Sequence, residues 1–292
     1  MSNVLYDLPG PKARLRNRLL GGVSIIGIVA LLAYIVMRFN DTGQFDSIKW
    51  QQFEYAAIQQ QLVDGYLTTL RAAGTAAVLA LVLGTLLAAA RLSDHAYFRA
   101  PASFLVELFR AIPLLVLIFF AYYGPIQLGY KVGPFWPLVI GLTIYNGAVL
   151  AEIFRAGILA VARGQSEAAY ALGMRKTQVM SLILLPQAVR AMLPAIVSQL
   201  VVLLKDTALG FIIQLPELLY VGKQIGGRLP FGLPYVPSYL VVAAIYITTC
   251  GLLSWLAFWL QKRLTRGRRR KTTVDTVPVL ETGAGTGSAP NA

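Results

Sequence analysis

Residues 163–186 read RGQSEAAYALGMRKTQVMSLILLP, an insertion between two long apolar segments. The first half of this insertion is too polar to remain in lipid. Gln165 and Ser166 can cap a helix, and Glu167 in its first turn complements the positive end of the helix dipole. Gly173 can supply the left-handed residue that ends a short helix. The stretch therefore predicts one short polar helix outside the membrane.

The second half of the insertion predicts another helix, which begins at Thr177 and ends at the Pro186 boundary. Two short helices at an angle, with small residues exposed, make a shape that the groove of another protein could accept. A plain helical hairpin between two membrane spans is the alternative.

Six apolar segments surround or flank this insertion, and each is long enough to cross a bilayer as a helix. They are residues 19–37, 67–90, 104–128, 134–161, 188–215 and 238–260. Hydrophobic residues make up 57% of the 292 residues, and the mean hydropathy is +0.63. This composition leaves too little polar surface for a soluble nucleic-acid binder, despite a net charge of +13. The sequence therefore predicts an all-α integral membrane protein.

Basic residues indicate the sidedness of these spans, because Lys and Arg concentrate in cytoplasmic loops. Of the 26 Lys and Arg residues, 19 fall in the two tails and in alternate connections. With six spans, both termini are predicted to be cytoplasmic. Residues 1–18 form a basic cytoplasmic tail, and residues 263–292 are predicted to be basic and then disordered. Residues 38–66 lie outside, either as a surface loop or as a helix in the outer interface.

The sequence lacks the residues that nucleotide-binding loops, common metal sites and His-based catalytic sites require. The chain has no G-x-x-x-x-G-K-[ST] loop, so ATP, if it is used, binds to another subunit. His95 and Cys250 are the only histidine and the only cysteine, which argues against common zinc sites, haem and His-based triads. We expect no metal site, no catalytic residue and no enzymatic activity, which leaves transport or scaffolding.

Two pairs of opposite charges lie near the ends of predicted spans. Glu107 with Arg110, and Glu152 with Arg155, are spaced i,i+3 and therefore face the same way on a helix. They could be structural ion pairs at an inner gate or parts of a mobile gate. Pro113 is predicted to kink the helix just beyond Arg110.

Polar residues inside two other spans are candidates for a substrate path. Lys205, Asp206 and Thr207 follow an apolar stretch, and Lys205 could offer a positive charge to a carboxylate or pair with an acidic neighbour. Asn146 could line the same path, or it could make a helix-packing hydrogen bond.

A sequence motif in the insertion resembles a known family. The spacing E-A-A-x3-G-x9-I-x-L-P is typical of permease subunits of binding-protein-dependent ABC importers, and it is matched by Glu167, Ala168, Ala169, Gly173, Ile183, Leu185 and Pro186. Residues 106–120, 145–164 and 205–209 are similar to the polar amino-acid branch of that family. The resemblance implies a type I importer fold, with a five-helix core and coupling helix in residues 67–262. The span at 19–37 is then an extra N-terminal transmembrane helix.

The resemblance also implies partners. The insertion is similar to a coupling helix, so Glu167, Ala168, Ala169 and Gly173 would dock on a separate ABC ATPase subunit. ATP and Mg would be bound there, and this chain would bind no cofactor. A second permease, identical or different, and an extracytoplasmic amino-acid-binding protein would complete the importer in the bacterial plasma (inner) membrane. The two tails and the extra span resemble those of a glutamate permease subunit.

Two rival functions remain open at this point. A secondary transporter or channel driven by an ion gradient would predict an internal repeat with paired broken helices, and the two halves show no such similarity. A membrane scaffold would leave the polar groups inside the spans idle. Neither rival accounts for the insertion.

Overall fold

The computed structural model describes residues 10–266, and every regular element in this part of the chain is helical. The α-helices are α1 (Pro11–Asp41), α2 (Ser47–Gln51), α3 (Ala56–Arg91), α4 (Ala96–Ala111), α5 (Leu114–Gln127), α6 (Phe135–Leu159), α7 (Arg163–Ala171), α8 (Lys176–Gln178), α9 (Leu185–Asp206), α10 (Leu218–Gly226) and α11 (Tyr235–Arg266). A π-helical segment, Val179–Leu184, joins α8 to α9. The prediction of an all-α membrane protein is confirmed. Residues 1–9 of the predicted basic tail and 267–292 of the predicted disordered tail lie outside the described residues.

Five helices are long and apolar enough to cross a membrane, and a bent pair of helices would make a sixth. The five are Pro11–Asp41, Ala56–Arg91, Phe135–Leu159, Lys176–Ile213 and Tyr235–Trp259. The bent pair is α4 with α5, which meet at 97°. The number of described helices therefore agrees with five or six spans.

The helix predicted over residues 104–128, with a kink at Pro113, is instead two separate helices, because α4 ends before Ile112. Ile112 has φ −84° and ψ 129°, an extended conformation, and α5 starts after Pro113. A proline disfavours the helical conformation of the residue before it and offers no N–H to continue the helix. Both effects act at the same bond here, so the chain turns sharply.

The N-terminal part differs in its boundaries from the prediction. The extra helix predicted at 19–37 spans Pro11–Asp41 and buries none of its residues against the rest of the chain. The outer segment predicted at 38–66 contains no single interfacial helix. Helix α2 and a 3-10 turn end at Tyr55, whose ψ of 125° is extended, and α3 begins at Ala56. The stretch 56–66 therefore belongs to the first core span.

Small residues set the distance between α3 and α6, the pair at the centre of the core. One face of α3 carries a small residue at every fourth position, and all are buried: Ala72, Ala76, Ala80, Gly84 and Ala88. A Cβ on Gly84 would lie 3.0 Å from the carbonyl oxygen of Gly147, and one on Gly147 would lie 2.9 Å from Leu83. Such stripes let membrane helices approach closely, because van der Waals contact rather than water exclusion holds them together.

Replacing Gly84 with Leu is expected to destabilise the protein, because the side chain would overlap α6. Overpacking of this kind costs about 1–3 kcal/mol. Gly74→Leu is the matched control, since it lies in the same helix with open space around its Cβ position. Thermal unfolding of the purified protein in detergent should show a lower apparent Tm for Gly84→Leu alone. Equal Tm values for the two variants would contradict the close contact.

Candidate coupling surface and buried polar clusters

The first helix of the insertion, α7, has a defined start and end. It begins at Arg163 after Ala162, so Gln165 and Ser166 lie inside the helix and the predicted cap is wrong. The Ser166 hydroxyl instead donates to the carbonyl oxygen of Arg163 at 2.8 Å, because a helical backbone brings that acceptor within reach. The N-cap is therefore Ala162, three residues before the first predicted cap at Gln165.

The C-terminal end of α7 agrees with the prediction for Gly173. Its φ is +79°, in the left-handed region that glycine adopts without strain. The N–H of Gly173 donates to the carbonyl oxygen of Tyr170 at 2.9 Å, and that of Met174 donates to Ala169 at 3.2 Å. These two bonds form a Schellman motif, which satisfies carbonyls at the helix end and fixes the exit direction of the chain.

The exposed residues of α7 and its end form one surface. We define the coupling surface as Glu167, Ala168, Ala171, Leu172 and Gly173, all of which are exposed. Leu172 is 83% exposed, an unusual position for a large apolar side chain outside the membrane spans. Leu172 was missed from the sequence, although it lies four residues after Ala168 and therefore on the same helix face.

Ala169, which the motif groups with the docking residues, points the other way. It is only 4% exposed, and α7 packs against the π-helical segment on its inner side. A small residue there lets the two helical segments lie close together. Ala169 therefore holds α7 on the body of the protein, while Glu167 and Ala168 face outward.

The second half of the insertion is continuous with the following span. It begins at Lys176, and the predicted end at Pro186 is wrong, since helical structure continues through α9 to Asp206. In a regular α-helix the proline ring would clash with the carbonyl of Leu182. The π-helical segment Val179–Leu184 precedes Pro186, and its wider turns leave room for the proline ring. The coupling surface is thereby joined to a 38-residue span without a loop beyond Arg175.

An ion pair connects this insertion to the loop between α3 and α4. The Lys176 ammonium donates to the Asp94 carboxylate, and both side chains are largely exposed. The hydrogen bond from Lys176, together with its positive charge, holds the pKa of the Asp94 carboxyl below its ordinary value of 3.8. The Asp94 carboxyl is therefore ionised near neutral pH.

The pKa of the Asp94 carboxyl should depend on its contact with Lys176. A group whose pKa is lowered in the folded state keeps its interaction above the ordinary value and loses it as the pH falls through the lowered value. The bridge should therefore persist at pH 5–8 and break only below 3.8. A carbon-detected NMR titration of the Asp94 carboxyl should give a higher midpoint in Lys176→Met than in the unchanged protein. The same midpoint in both would show that the bridge does not form.

Four charged side chains from three helices meet beside the core. We define the Glu152 cluster as Glu152 and Arg155 of α6, Arg91 of α3 and Arg110 of α4. Arg91 Nη1 lies 2.5 Å from Glu152 Oε2, Arg155 Nη2 lies 2.6 Å from Oε1, and Arg110 Nη1 lies 3.9 Å from Oε2. One carboxylate thus joins the ends of α3 and α4 to α6.

This cluster changes the pairing expected from the spacing. The Glu152 and Arg155 pair is formed, but Glu107 makes none of the described ion pairs, and Arg110 turns to Glu152 instead. Residues i and i+3 share a face, yet an ion pair between two exposed side chains gains little in water, so the spacing alone does not fix the partner. Arg91 was missed as a partner. Its position three residues after Ala88 continues the small-residue stripe of α3 towards α6.

The substrate-path candidates occupy different environments. Asn146 is fully buried, where its Nδ2 donates to the Leu142 carbonyl at 2.9 Å and its Oδ1 accepts from Gln199 Nε2 at 2.8 Å. The bond from Gln199 links α9 to α6. Thr207 is also buried and donates to the Leu204 carbonyl at 2.6 Å, while Asp206 is half-buried. The side chains of Asn146 and Thr207 are therefore engaged in bonds to the helices themselves.

Lys205 lies in a groove instead. It is exposed beside a cavity of about 320 Å³ between α9 and α11, which Ser198 and Ser254 also line. Within residues 10–266 no acidic side chain forms an ion pair with it. Of the four candidates, Lys205 presents a polar group that a solute or a neighbouring subunit could reach.

A buried carboxylate, Glu217, connects α10 to α11. It was not among the residues predicted from the sequence. Glu217 is fully buried at the N-terminus of α10, where it accepts from the N–H groups of Leu219 at 2.9 Å and Tyr220 at 2.7 Å. The Tyr246 hydroxyl of α11 donates to it at 2.9 Å. Glu217 lies at the N-cap of α10, immediately before Leu218. An acceptor side chain at a helix start was therefore the signal in the sequence that could have identified it. Glu217 therefore joins α10 to α11.

The chain is similar to known membrane proteins. Residues 80–266 match the family described as "Binding-protein-dependent transport system inner membrane component". The glutamate transport system permease protein GluD of Corynebacterium glutamicum is 42% identical over 245 residues, which cover 82% of this chain and 88% of that protein. The probable glutamine ABC transporter permease protein GlnP of Bacillus subtilis is 36% identical, covering 70% and 94%.

A solved structure agrees with these relatives. The crystal structure of an amino acid ABC transporter with histidines has a chain that is 31% identical to this one, with a TM-score of 0.67 over 70% of this chain and 94% of that chain. An inward-facing MetNI methionine ABC transporter, 22% identical with a TM-score of 0.57, shares the fold. The apolar helices, the exposed insertion and these similarities together show that the chain belongs to the family of binding-protein-dependent transport system inner membrane components.

Proposed function

We propose that this chain is the permease subunit of an ATP-driven importer of glutamate or another polar amino acid. The observation that carries the proposal is the coupling surface, which lies on and just after the exposed helix α7 and which residues 172–175 join to the next membrane span. The names of the relatives, a glutamate permease and a glutamine permease, support the substrate class. ATP and Mg would be bound by a partner ATPase, and this chain would bind no cofactor and hydrolyse nothing.

The contacts of α7 suggest how the two subunits would be coupled. Glu167, Ala168 and Leu172 would dock in a cleft of the ATPase, and Ala169 would hold α7 on the permease. Closure of two ATPase subunits would then displace α7. The displacement would pass through residues 172–175 to Lys176, from which helical structure is continuous into α9, and the Asp94 bridge would carry it to the loop that follows α3.

The substrate path would follow the exposed groove at Lys205. Its ammonium could pair with the carboxylate of an amino acid, and Ser198 and Ser254 could add hydrogen bonds. Asn146, Asp206 and Thr207 would act by positioning α6 and α9. Glu152, Arg91, Arg110 and Arg155 would hold the ends of α3, α4 and α6 together as an inner gate.

The orientation follows from charge. The proposal places both termini, the coupling surface and the Glu152 cluster on the cytoplasmic side of the bacterial plasma membrane. In this arrangement α4 and α5 together make one crossing, so the five-helix core and the extra α1 give six spans. A second permease, identical or different, two ATPases and an extracytoplasmic amino-acid-binding protein would complete the assembly.

Reconstitution with those partners tests the proposal. Proteoliposomes should accumulate labelled glutamate, glutamine, arginine or histidine only when ATP and the binding protein are both present. The matched control contains an ATPase subunit with an inactivated catalytic residue. Uptake that continues with this control, or that follows an imposed ion gradient, would show a secondary transporter instead.

A further inference from the structure

Helix α10 carries polar side chains on one face, although it lies between two membrane spans. Tyr220, Lys223, Gln224 and Gly227 are spaced i, i+3, i+4 and i+7, so they share that face. The opposite face consists of buried residues without polar side chains: Leu218, Val221, Gly222, Ile225 and Gly226. A polar helix face is costly against hydrocarbon, so this one is suited to water and polar solutes rather than to lipid tails.

The buried face of α10 fixes the helix against its neighbours. A Cβ on Gly65 of α3 would lie 2.8 Å from Val221, and a Cβ on Gly222 would lie 2.5 Å from Val242 of α11. Such close approaches leave α10 little room to shift. The polar face is therefore held in place from behind, as a preorganised binding surface requires.

The polar face of α10 lines a groove of about 550 Å³, a volume that suits a small solute. The other walls are the end of the 3-10 segment Thr207–Ile213, Gln214 and Tyr235. Gln214 is exposed and has a φ of +60°, a left-handed conformation in which glycine would be less strained. Strain of this kind is typical of functional sites, so the amide side chain of Gln214 is a candidate for ligand contact.

The groove offers one cation and two free amides. The Lys223 ammonium lies 5.7 Å from the centroid of the Phe211 ring, and within residues 10–266 no acidic side chain forms an ion pair with it. The side chains of Gln214 and Gln224 are exposed and make none of the described hydrogen bonds. None of the described lining residues is acidic. The groove therefore suits a carboxylate beside a second polar group, and it repels an additional positive charge.

We propose that this groove binds the transported amino acid, with the α-carboxylate on Lys223 and a glutamine or glutamate side chain at Gln214 and Gln224. The rings of Tyr220 and Tyr235 also line the groove and suit the ammonium of the ligand. This inference rests on the proposed function and narrows its substrate class, because the groove lacks the acid that arginine needs. In the proposed orientation the groove lies at the external ends of α9 and α11, where a solute enters.

Equilibrium binding of labelled L-glutamine and L-glutamate tests the groove. The protein is the full chain purified with its permease and ATPase partners, without the binding protein. We expect Lys223→Met to weaken binding roughly tenfold, as the loss of one charge-assisted contact predicts, and Lys223→Arg to keep most of it. 4-Aminobutanamide, which is glutamine without its α-carboxylate, should not compete. L-Arginine should compete weakly, because its side chain adds a positive charge.

Two control variants separate ligand contact from folding and from general charge. Gln214→Gly removes the amide and relieves the left-handed strain, so glutamine binding should weaken while the Tm stays the same or rises. Lys131→Met removes an exposed cation from the connection between α5 and α6, outside the lining of the groove, and should leave binding unchanged.

Several results would overturn the proposal. They are an unchanged protein that binds neither amino acid, equal losses in Lys131→Met and Lys223→Met, competition by 4-aminobutanamide, and tighter binding of arginine than of glutamine. Normal glutamine binding by Lys223→Met, with uptake lost, would show that Lys223 meets an acidic group of the binding protein instead. Each of these leaves the proposed function in place as long as the unchanged protein shows ATP-driven uptake, whose absence would reject that function separately.

Discussion

Replacing Glu167 with Lys is expected to abolish ATP-driven uptake while leaving insertion and helix packing intact. The side chain is exposed on α7, and no described hydrogen bond or ion pair depends on it. If Glu167 meets a basic group on the ATPase, the reversal places two like charges together, which costs several kcal/mol. That corresponds to a loss of roughly 100-fold or more in docking affinity. Uptake and substrate-stimulated ATP hydrolysis in proteoliposomes measure the effect.

Gln165→Lys is the control for this experiment. It introduces the same residue into the same helix, two positions earlier and therefore on a different face. We expect the control to keep most of the uptake and to co-purify with the ATPase, whereas Glu167→Lys should lose the ATPase during purification. Full uptake by Glu167→Lys would remove Glu167 from the coupling surface.

Replacing Glu152 with Ala should cause a large loss of stability, because three guanidinium groups would converge without a carboxylate. Breaking a buried ion pair by removing one partner costs about 3–5 kcal/mol. The Glu152 side chain is 27% exposed, so solvent reduces the expected cost. We expect about 2 kcal/mol, which lowers the apparent Tm by roughly 4–8 °C for a chain of this size.

Two further variants show whether that loss comes from the pairing. Glu107→Ala removes an exposed carboxylate from α4 and should leave the Tm nearly unchanged. The double variant Arg91→Met with Glu152→Met replaces one pair of charges with apolar groups, leaves Arg110 and Arg155 without their carboxylate, and should recover part of the stability. An equal loss in Glu107→Ala, or no recovery in the double variant, would contradict the geometry of the cluster.

The features that sequence analysis predicted well depend on neighbouring residues. Apolar length determines which segments can form membrane helices, because a span needs about 20 consecutive apolar residues. The left-handed end of α7 follows from one glycine after a run of helix formers, and the structure has it at Gly173. Even within this local range, Pro113 and Pro186 had opposite outcomes. The first ends a helix completely, whereas the second lies beside a π-helical segment that accommodates it.

The features that were missed depend on residues far apart in the chain. Arg91 and Glu152 are separated by 61 positions, and Asp94 and Lys176 by 82. No periodicity connects such pairs, because the distance between them is set by how closely α3 and α6 pack and by the direction in which α7 leaves the core.

By itself, the sequence determined the membrane class, the helical segments and the exposed insertion with its family motif, since apolar length, charge and short motifs act within a few turns of helix. Only the tertiary structure decided that Ala169 faces inward and that Arg110 turns from Glu107 to Glu152. It also decided that Asn146 accepts a hydrogen bond from Gln199. Those outcomes depend on which helices are in contact, because a polar side chain bonds to the partner that packing brings within about 3 Å.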